Sequence, residues 1–287
     1  MAWINAVIQG ILLGGLYALF AAGLSLMFGV MRFINIAHGD FIVVAAYLSL
    51  TAIITFGLNP FIGIAIVMVI LGVAGYMNQR ILLNRVMGKD ILPPVLVTFG
   101  MSIIIQNALL EIFSADSQKI PTGWLETSSL SIVDGVAVGL LPLLMFVAAV
   151  GMLGILQFIF FKTSTGRLLR ATSDDPEIVP LMGGNNKHIF ALATMIASVV
   201  VALAGVFLAM KTNFDPAAGP SRLLFAFEAV IIGGLGSLWG TLVGGIILGV
   251  SQTIGAQIDA GYQILAGHLA FLAVLIFRPT GLFSKSK

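Results

Sequence analysis

The sequence lacks cysteine altogether and carries little charge, since only 9% of its 287 residues are Asp, Glu, Lys or Arg. Without cysteine, the chain has no disulfide framework, no thiolate metal site and no cysteine nucleophile. A soluble domain carries roughly 25% charged residues, so 14 basic and 12 acidic side chains are too few to solvate a folded chain of this length. The low charge argues against a soluble enzyme, a nucleic-acid-binding protein and a disordered protein, and leaves the lipid bilayer as the solvent.

Apolar residues make up 59% of the chain and gather in long uncharged runs. These runs cover residues 1–31, 41–79, 91–110, 135–161, 188–210, 229–258 and 260–277. A helix needs about 20 apolar residues to cross a bilayer, and the turn signal at Gly57 and Asn59-Pro60 divides the second run in two. The pattern predicts an all-α polytopic membrane protein, forming a single domain over 1–287. Its clearest spans are expected near 3–28, 39–56, 60–79, 93–113, 137–161, 188–210 and 261–277.

The remaining apolar segment, residues 223–258, is rich in glycine. Seven glycines between Gly233 and Gly249 predict a broken or re-entrant helix near 223–240, followed by a closely packed helix, for seven to nine spans in all. Several glycines lie four residues apart, a spacing that lets helix backbones approach closely in lipid: Gly10 and Gly14, then Gly236, Gly240 and Gly244, then Gly245 and Gly249. Two interpretations stay open, static packing and a broken backbone that faces a transported substrate.

Basic residues are placed unevenly along the chain. Ten of the fourteen lie in two loops and the C-terminal tail: Arg80, Arg85, Lys89, Lys162, Arg167, Arg170, Lys187, Arg278, Lys285 and Lys287. The loop 111–134 instead holds Glu111, Asp116, Glu126 and Asp134 against one lysine, Lys119. Because cytoplasmic loops carry an excess of Lys and Arg, the basic loops are predicted to be cytoplasmic and the acidic loop external. The N-terminus would then lie outside and the C-terminus inside.

The basic loop 162–187 holds seven charged residues and two predicted short helices. The first helix is expected over roughly Thr165–Thr172. Asp174-Asp175-Pro176 then predicts a capped start of a second helix, and Gly183-Gly184 predicts its end. Such a pair of capped helices can form a rigid knob that passes force from a soluble partner to the membrane helices. The alternative is a solvated connector between two spans.

Ionisable residues inside a membrane are costly and favour functional roles. Glu228 precedes the glycine-rich segment and either lines a pathway or pairs structurally, with Arg222 as the nearest cation in sequence. Asp259 is expected at a helix end, while His188 and His268 are isolated and receive no role.

Asn35, His38, Gly39 and Asp40 lie at the predicted junction of the first two helices. Asn35 and His38 can bond backbone groups where a helix breaks, and Asp40 suits the positive end of the next helix. A structural or hinge role is therefore favoured over catalysis, and a metal site is not predicted because His38 and Asp40 supply too few ligands.

Polar residues follow one another by a helical turn on the fourth span. Thr98, Ser102 and Gln106 form this stripe, with Asn107 beside it. It faces either a neighbouring helix or an aqueous pathway, and the sequence does not separate the two.

Four motifs occur in order along nearly the whole chain. They are Asn35-Ile36-Ala37-His38-Gly39-Asp40; Thr165-Gly166-Arg167 with Arg170-Ala171, Asp174 and Gly183; Gly233-Gly234-Leu235-Gly236-Ser237 with Gly240 and Gly244-Gly245; and Arg278-Pro279-Thr280-Gly281-Leu282. Together they resemble the permease subunits of branched-chain amino-acid ABC importers, especially the high-affinity type. Relatives with a Lys before the glycine segment differ from this chain, which has Arg222 and Glu228 there.

The resemblance implies a permease that moves branched-chain or other hydrophobic amino acids across the bacterial inner membrane into the cytoplasm. It implies four kinds of neighbour: a second homologous permease chain, two cytoplasmic ATPase subunits that bind ATP and Mg, a periplasmic substrate-binding protein, and lipid. This chain has no GxxxxGK[ST] phosphate loop, so it is expected to be neither the ATPase nor the holder of a cofactor.

The resemblance also assigns residues. Segment 163–186 would couple to an ATPase through Thr165, Gly166, Arg167, Arg170, Ala171, Asp174, Asp175, Pro176 and Gly183. The pathway or hinge candidates are Asn35, His38, Gly39, Asp40, Thr98, Ser102, Glu228, Gly233, Gly234, Gly236 and Ser237.

Three other functions were weighed against this one. A related importer for urea, short amides or aromatic acids would share the fold, because a separate binding protein usually selects the substrate. A stand-alone secondary transporter would favour charge relays inside the spans, where only Glu228 is a good candidate. A membrane-embedded enzyme is disfavoured because no HExxH or GxSxG motif is present.

Overall fold

The structure is a computed structural model that describes residues 1–88, 90–133 and 136–283. Lys89, Asp134, Lys285 and Lys287, which entered the charge argument, lie outside these residues. The described helices are α1 (Ala2–Met31), α2 (His38–Ile54), α3 (Pro60–Asn78), α4 (Asn84–Val86), α5 (Leu92–Phe113), α6 (Trp124–Thr127), α7 (Leu140–Lys162), α8 (Ser164–Asp174), α9 (Ile178–Leu181), α10 (Asn186–Lys211), α11 (Gly219–Gly233), α12 (Leu238–Ile258) and α13 (Tyr262–Phe277).

Six helical segments are long and apolar enough to cross a membrane: α1, α3 continued through α4, α5, α7, α10 and α12. The apolar helices α2 and α13 are shorter, and α11 has 15 residues that include Arg222 and Glu228. These helices confirm the predicted all-α polytopic membrane fold. The break predicted near 223–240 is also confirmed, because α11 ends at Gly233 and α12 begins at Leu238. Gly234 and Gly236 turn the chain there with φ angles of +101° and +81°.

Two local predictions were wrong. Arg80 and Arg85 do not lie in a loop, because a π-helical turn (Gln79–Leu83) continues α3 into α4. The span expected from 137 begins only at Leu140, since the preceding residues form a strand. That strand, β2 (Val136–Gly139), pairs antiparallel with β1 (Ser129–Val133), with Leu130 opposite Val138. The alternation Ser129-Leu130-Ser131 is a strand pattern, but it is too short to stand out in the sequence.

The long helix α1 lies at the centre of the bundle and packs against α7, α10, α11 and α12. Its contact with α12 is made by the predicted glycines. A Cβ atom on Gly14 would lie 2.5 Å from the Ile246 Cα, and a Cβ atom on Gly249 would lie 2.7 Å from the Gly14 nitrogen. The expected close approach of backbones is therefore present, because glycine alone leaves room for it.

Helices α2 and α11 both begin inside the bundle rather than at its edge. At the start of α2, the His38 ring bonds to the carbonyl oxygen of Phe20, a residue in the middle of α1. The first turn of α11 lies against the same place, since a Cβ atom on Gly39 would lie 2.8 Å from the Leu223 nitrogen. The connecting segments 32–37 and 212–218 therefore turn into the bundle before α2 and α11 begin; they are called re-entrant below.

Candidate functional site

The junction between α1 and α2 is held by buried side chains that bond backbone groups. Arg32 ends α1 in the left-handed region, with a φ of 55°. The Asn35 side-chain oxygen accepts a hydrogen bond from the Ala37 nitrogen at 3.0 Å, and His38 Nε2 lies 2.8 Å from the Phe20 oxygen. Both side chains are almost fully buried. Asn35 satisfies a backbone nitrogen where the helix breaks, as the sequence suggests, whereas His38 bonds a carbonyl group in the middle of α1. Among the described residues, no three His, Asp or Glu side chains gather as metal ligands.

Asp40 lies where the first turns of α2 and α11 meet. Its carboxylate packs on Gly219, the first residue of α11, where any Cβ atom would collide with it. The buried Asp40 side chain and the first turn of α11 thus lie in direct contact, with no room for a side chain at Gly39 or Gly219. This explains why glycine occupies positions 39 and 219, and it gives Asp40 a structural role at the re-entry point.

The polar stripe on α5 faces both a helical neighbour and open space. Thr98 is buried, and its hydroxyl accepts a hydrogen bond from the Ile36 nitrogen at 3.2 Å, which ties α5 to the α1–α2 junction. Ser102, also buried, accepts a hydrogen bond from Gln106 Nε2 at 2.9 Å. Both Ser102 and Gln106 face the Asp40 side chain, whereas Asn107 is exposed. Thr98 and Ser102 thus face neighbouring helices, while Asn107 lies on the exposed side of α5.

Glu228 forms a hydrogen bond with His268 on α13, and not with Arg222. His268, for which the sequence indicates no role, is therefore the partner of Glu228. Phe225, one turn before Glu228, packs between the His268 ring, 6.3 Å away, and the Tyr17 ring, 5.2 Å away. The Tyr17 hydroxyl in turn donates a 2.5 Å hydrogen bond to Gln252 Oε1. Glu228 therefore anchors α13 to the centre of the bundle.

The glycine-rich segment packs α11 and α12 as a tight antiparallel hairpin. A Cβ atom on Gly233 would lie 2.8 Å from the Thr241 nitrogen, and one on Gly244 would lie 2.9 Å from the Gly233 nitrogen. Ser237 begins α12, where its hydroxyl accepts a hydrogen bond from the Gly240 nitrogen at 3.1 Å. Gly233, Gly240 and Gly244 are thus packed between α11 and α12.

The segment 163–186, predicted to couple to an ATPase, forms two short capped helices, close to the predicted secondary structure. Helix α8 runs over Ser164–Asp174, longer than expected at both ends, and Thr163 caps it through the Gly166 nitrogen. Asp175 accepts hydrogen bonds from the nitrogens of Glu177 and Ile178, at 2.8 and 3.3 Å. Helix α9 therefore begins at Ile178, and Pro176 lies in the turn before it rather than in its first position.

The tip of this segment is apolar and exposed. Leu181 and Met182 are 85% and 84% exposed, and the adjoining Gly183 ends α9 with a φ of +81°. Gly166 has the opposite environment, because a Cβ atom there would collide with the Phe160 carbonyl group at the end of α7. Arg170 stacks over the Phe161 ring at 5.0 Å. Gly166 and Arg170 therefore fix α8 on α7, while Val179 of α9 is buried and Leu181 and Met182 are exposed.

Hydrogen bonds connect the end of α8 to the end of α1. Arg32 Nη2 donates a hydrogen bond to the Ser173 oxygen at 3.1 Å, and the Ser173 hydroxyl donates one to the Gly29 oxygen at 2.5 Å. Gly29 also lies against Gly236 in the α11–α12 turn. The sequence did not indicate this link, because the acceptors are backbone oxygens. In addition, Arg32 and Ser173 are 141 positions apart, and Ser173 and Gly29 are 144 positions apart.

The C-terminal motif completes the end of α11. The nitrogens of Leu282 and Phe283 donate hydrogen bonds to the oxygens of Ile232 and Gly233, at 2.9 and 3.1 Å. Gly281 has a φ of +83° and lies so close to Gly234 that a Cβ atom would be 2.5 Å from the Gly234 Cα. The tail thus satisfies carbonyl groups that the end of a helix leaves free, which explains the Gly281-Leu282 pair.

Comparison with known proteins gives one consistent result. The family described as branched-chain amino acid transport system / permease component matches residues 6–277. The high-affinity branched-chain amino acid transport system permease protein BraD of Pseudomonas aeruginosa is 30% identical, across 99% of this chain and 96% of its own length. LivH of Escherichia coli, which bears the same description, is 27% identical across 99% and 96%. A probable LivH of Methanocaldococcus jannaschii is 24% identical across 96% and 91%.

Proposed function

Because this chain belongs to the family of branched-chain amino acid transport permease components, we propose that it forms half of the membrane path of an ATP-binding-cassette importer for branched-chain amino acids. A second homologous permease chain would supply the other half. Two cytoplasmic ATPase subunits would bind ATP and Mg, and a periplasmic binding protein would deliver the substrate. The match over nearly the whole chain is the observation that carries the proposal.

The geometry of the coupling segment supports the ATPase partner. Exposed apolar residues at a protein surface mark interaction sites when polar residues surround them. Leu181 and Met182 meet this description, since they project from a loop whose charged residues Asp174, Asp175 and Glu177 are also exposed. The hydrogen bonds from Ser173 and Arg32 offer a direct mechanical connection from this surface to α1.

The charge distribution supports an inner-membrane orientation with α8 and α9 in the cytoplasm. The segment 162–187 carries four basic residues, and the tail begins with Arg278. On the side proposed to be external, Lys119 and Glu126 form an ion pair beside the hairpin of β1 and β2. Single cysteines at Glu126 and Glu177 test this orientation directly. An impermeant maleimide should label the first from the periplasm and the second only after the membrane is opened.

The transport proposal is tested in proteoliposomes that contain both permease chains and the two ATPases, with the binding protein and labelled leucine outside. We expect uptake that requires ATP inside the vesicles. Uptake at the full rate without the ATPases would contradict the proposal and favour a stand-alone transporter.

The coupling surface has its own test. Changing Leu181→Asp together with Met182→Asp should lower co-purification of the ATPases at least tenfold, because both side chains would be buried in that contact. Trp124→Asp is the matched control, since Trp124 is 66% exposed on the opposite side of the proposed membrane. Equal ATPase recovery from both variants would exclude α9 as the docking surface.

A further inference from the structure

A cleft lies between the second half of α5 and the re-entrant segment 212–218. Its volume is about 180 Å³. A water molecule occupies about 30 Å³ of liquid, so the cleft has room for one small molecule. Its walls include Gln106, Asn107, Leu110, Asp215, Pro216 and Ala217. The sequence analysis singled out two of these residues, Gln106 and Asn107, but it did not connect them with Asp215.

Three kinds of chemistry meet in this cleft. Asp215 supplies a half-buried carboxylate, one oxygen of which is held by the Ala217 nitrogen at 2.9 Å. The Gln106 amide faces the Ser102 hydroxyl and the Asp40 side chain. Asn107 has one N–H group in use, on the Ile103 oxygen, and its second N–H is available, since a primary amide has two donors. Leu110 and Pro216 add an apolar wall.

The charges around the cleft favour a positively charged group. Asp215 lies in its wall. No Lys or Arg lines the cleft among the described residues; Arg222 acts on Asp215 electrostatically from outside the wall. In addition, the Tyr47 hydroxyl is buried near Asp215 and has no hydrogen-bond partner in the described part of the chain. A ligand with an ammonium group meets the Asp215 carboxylate without competition from a lining cation.

We infer that this cleft is the outer substrate site, in which Asp215 binds the ammonium group of a zwitterionic amino acid with an apolar side chain. Asn107 is placed to donate to its carboxylate, and Leu110 and Pro216 to contact its side chain. The inference rests on the proposed function for the substrate class. Tight binding is not expected, because the cleft is shallow and much of its wall is exposed, which suits a substrate that must move on.

The test uses the complete permease pair in nanodiscs and saturation-transfer NMR, which detects weak ligands. Three probes separate the groups: leucine, 3-methylbutylamine, which keeps the ammonium but lacks the carboxylate, and 4-methylpentanoate, which lacks the ammonium. We expect signals for leucine and 3-methylbutylamine that fall at least fivefold in Asp215→Asn. Glu111→Gln is the matched control, since it removes an exposed carboxylate at the same end of α5 outside the cleft; it should leave both signals intact.

Asn107→Leu provides a second variant at an exposed position, should Asp215→Asn fold poorly. It should weaken leucine at least threefold and leave 3-methylbutylamine unchanged, because only leucine has the carboxylate. A 4-methylpentanoate signal equal to that of leucine, or a leucine signal unaffected by both variants, would overturn the inference. If binding that depends on the ammonium group were intact but ATP-driven uptake were absent, the proposed function would be contradicted and the proposed site would still be supported.

Discussion

Two helix contacts inside the same bundle are built from different chemistry. Helices α1 and α12 touch backbone to backbone through Gly10, Gly14, Gly245 and Gly249, and α1 is largely buried. Helix α5 instead meets α2 and the α1–α2 junction through a few polar groups, and most of its surface is exposed. Water cannot take the place of a close contact between glycine backbones. It can take the place of a partner in a hydrogen bond such as that from the Ile36 nitrogen to Thr98. We therefore expect the contact between α1 and α12, called the frame below, to stay fixed during transport. We expect the contact of α5 with α2 and the α1–α2 junction, called the wall below, to change.

The largest expected effect comes from filling the glycine contact. Gly14→Leu would drive a side chain into the α12 backbone, since even a Cβ atom would lie 2.5 Å from the Ile246 Cα. Overpacking a core typically costs 1–3 kcal/mol, and a backbone neighbour cannot move aside, so we expect about 3 kcal/mol or more. Folded protein should be lost, as measured by size-exclusion chromatography after detergent extraction.

Gly100→Leu on α5 is the matched control, because a Cβ atom there meets nothing within 4 Å. It should give folded protein in normal yield. If the two variants behaved alike, the distinction between frame and wall would fail.

A smaller effect is expected at the polar anchor of α13. His268→Ala leaves the buried Glu228 carboxylate without its partner, and removing one member of such a pair exposes the desolvation penalty of the other. We expect about 2 kcal/mol of destabilisation, seen as a lower melting temperature in nanodiscs. Gln263→Ala, at an exposed position of the same helix, should melt like the natural chain, and an unchanged His268→Ala melting curve would show that Glu228 needs no partner.

The smallest loss of folding stability should come from a substitution in the α5 contact. Thr98→Val removes the acceptor of the Ile36 nitrogen while keeping the shape of the side chain, which should cost about 1 kcal/mol. Leucine uptake by the complete transporter should nevertheless fall severalfold, because the variant alters the α5 contact that we expect to change during transport. Uptake at the natural rate, together with the small loss of stability, would make Thr98 a purely structural residue.

Much of the fold was predictable because lipid imposes simple rules. Uncharged runs identified the main apolar helices, and the seven glycines from Gly233 to Gly249 indicated the break between α11 and α12. Capping residues likewise indicated α8 and α9. These features are local, so the sequence around them is sufficient evidence.

The site was less predictable, because it depends on distant residues brought together. His268 pairs with Glu228 across 40 positions, and Ser173 bonds to Gly29 across 144. The depth at which α2 begins depends on the Phe20 oxygen, a backbone group that every residue has. Asp215 was overlooked for a similar reason, since nothing near it in sequence points to Gln106 or Asn107.

The most direct test of the frame and the wall uses the absence of cysteine from this sequence, and it is made with partner chains whose own cysteines have been replaced. Single variants Asn107→Cys on α5 and Ser25→Cys on α1, where Ser25 is 1% exposed, would be treated with a charged methanethiosulfonate reagent in the complete, membrane-embedded transporter. Labelling of Asn107→Cys alone, slowed by leucine, is the result that we predict. Equal labelling of both positions, or protection of Asn107→Cys in every condition, would contradict the account. Either result would show that α5 is not more accessible to water than α1.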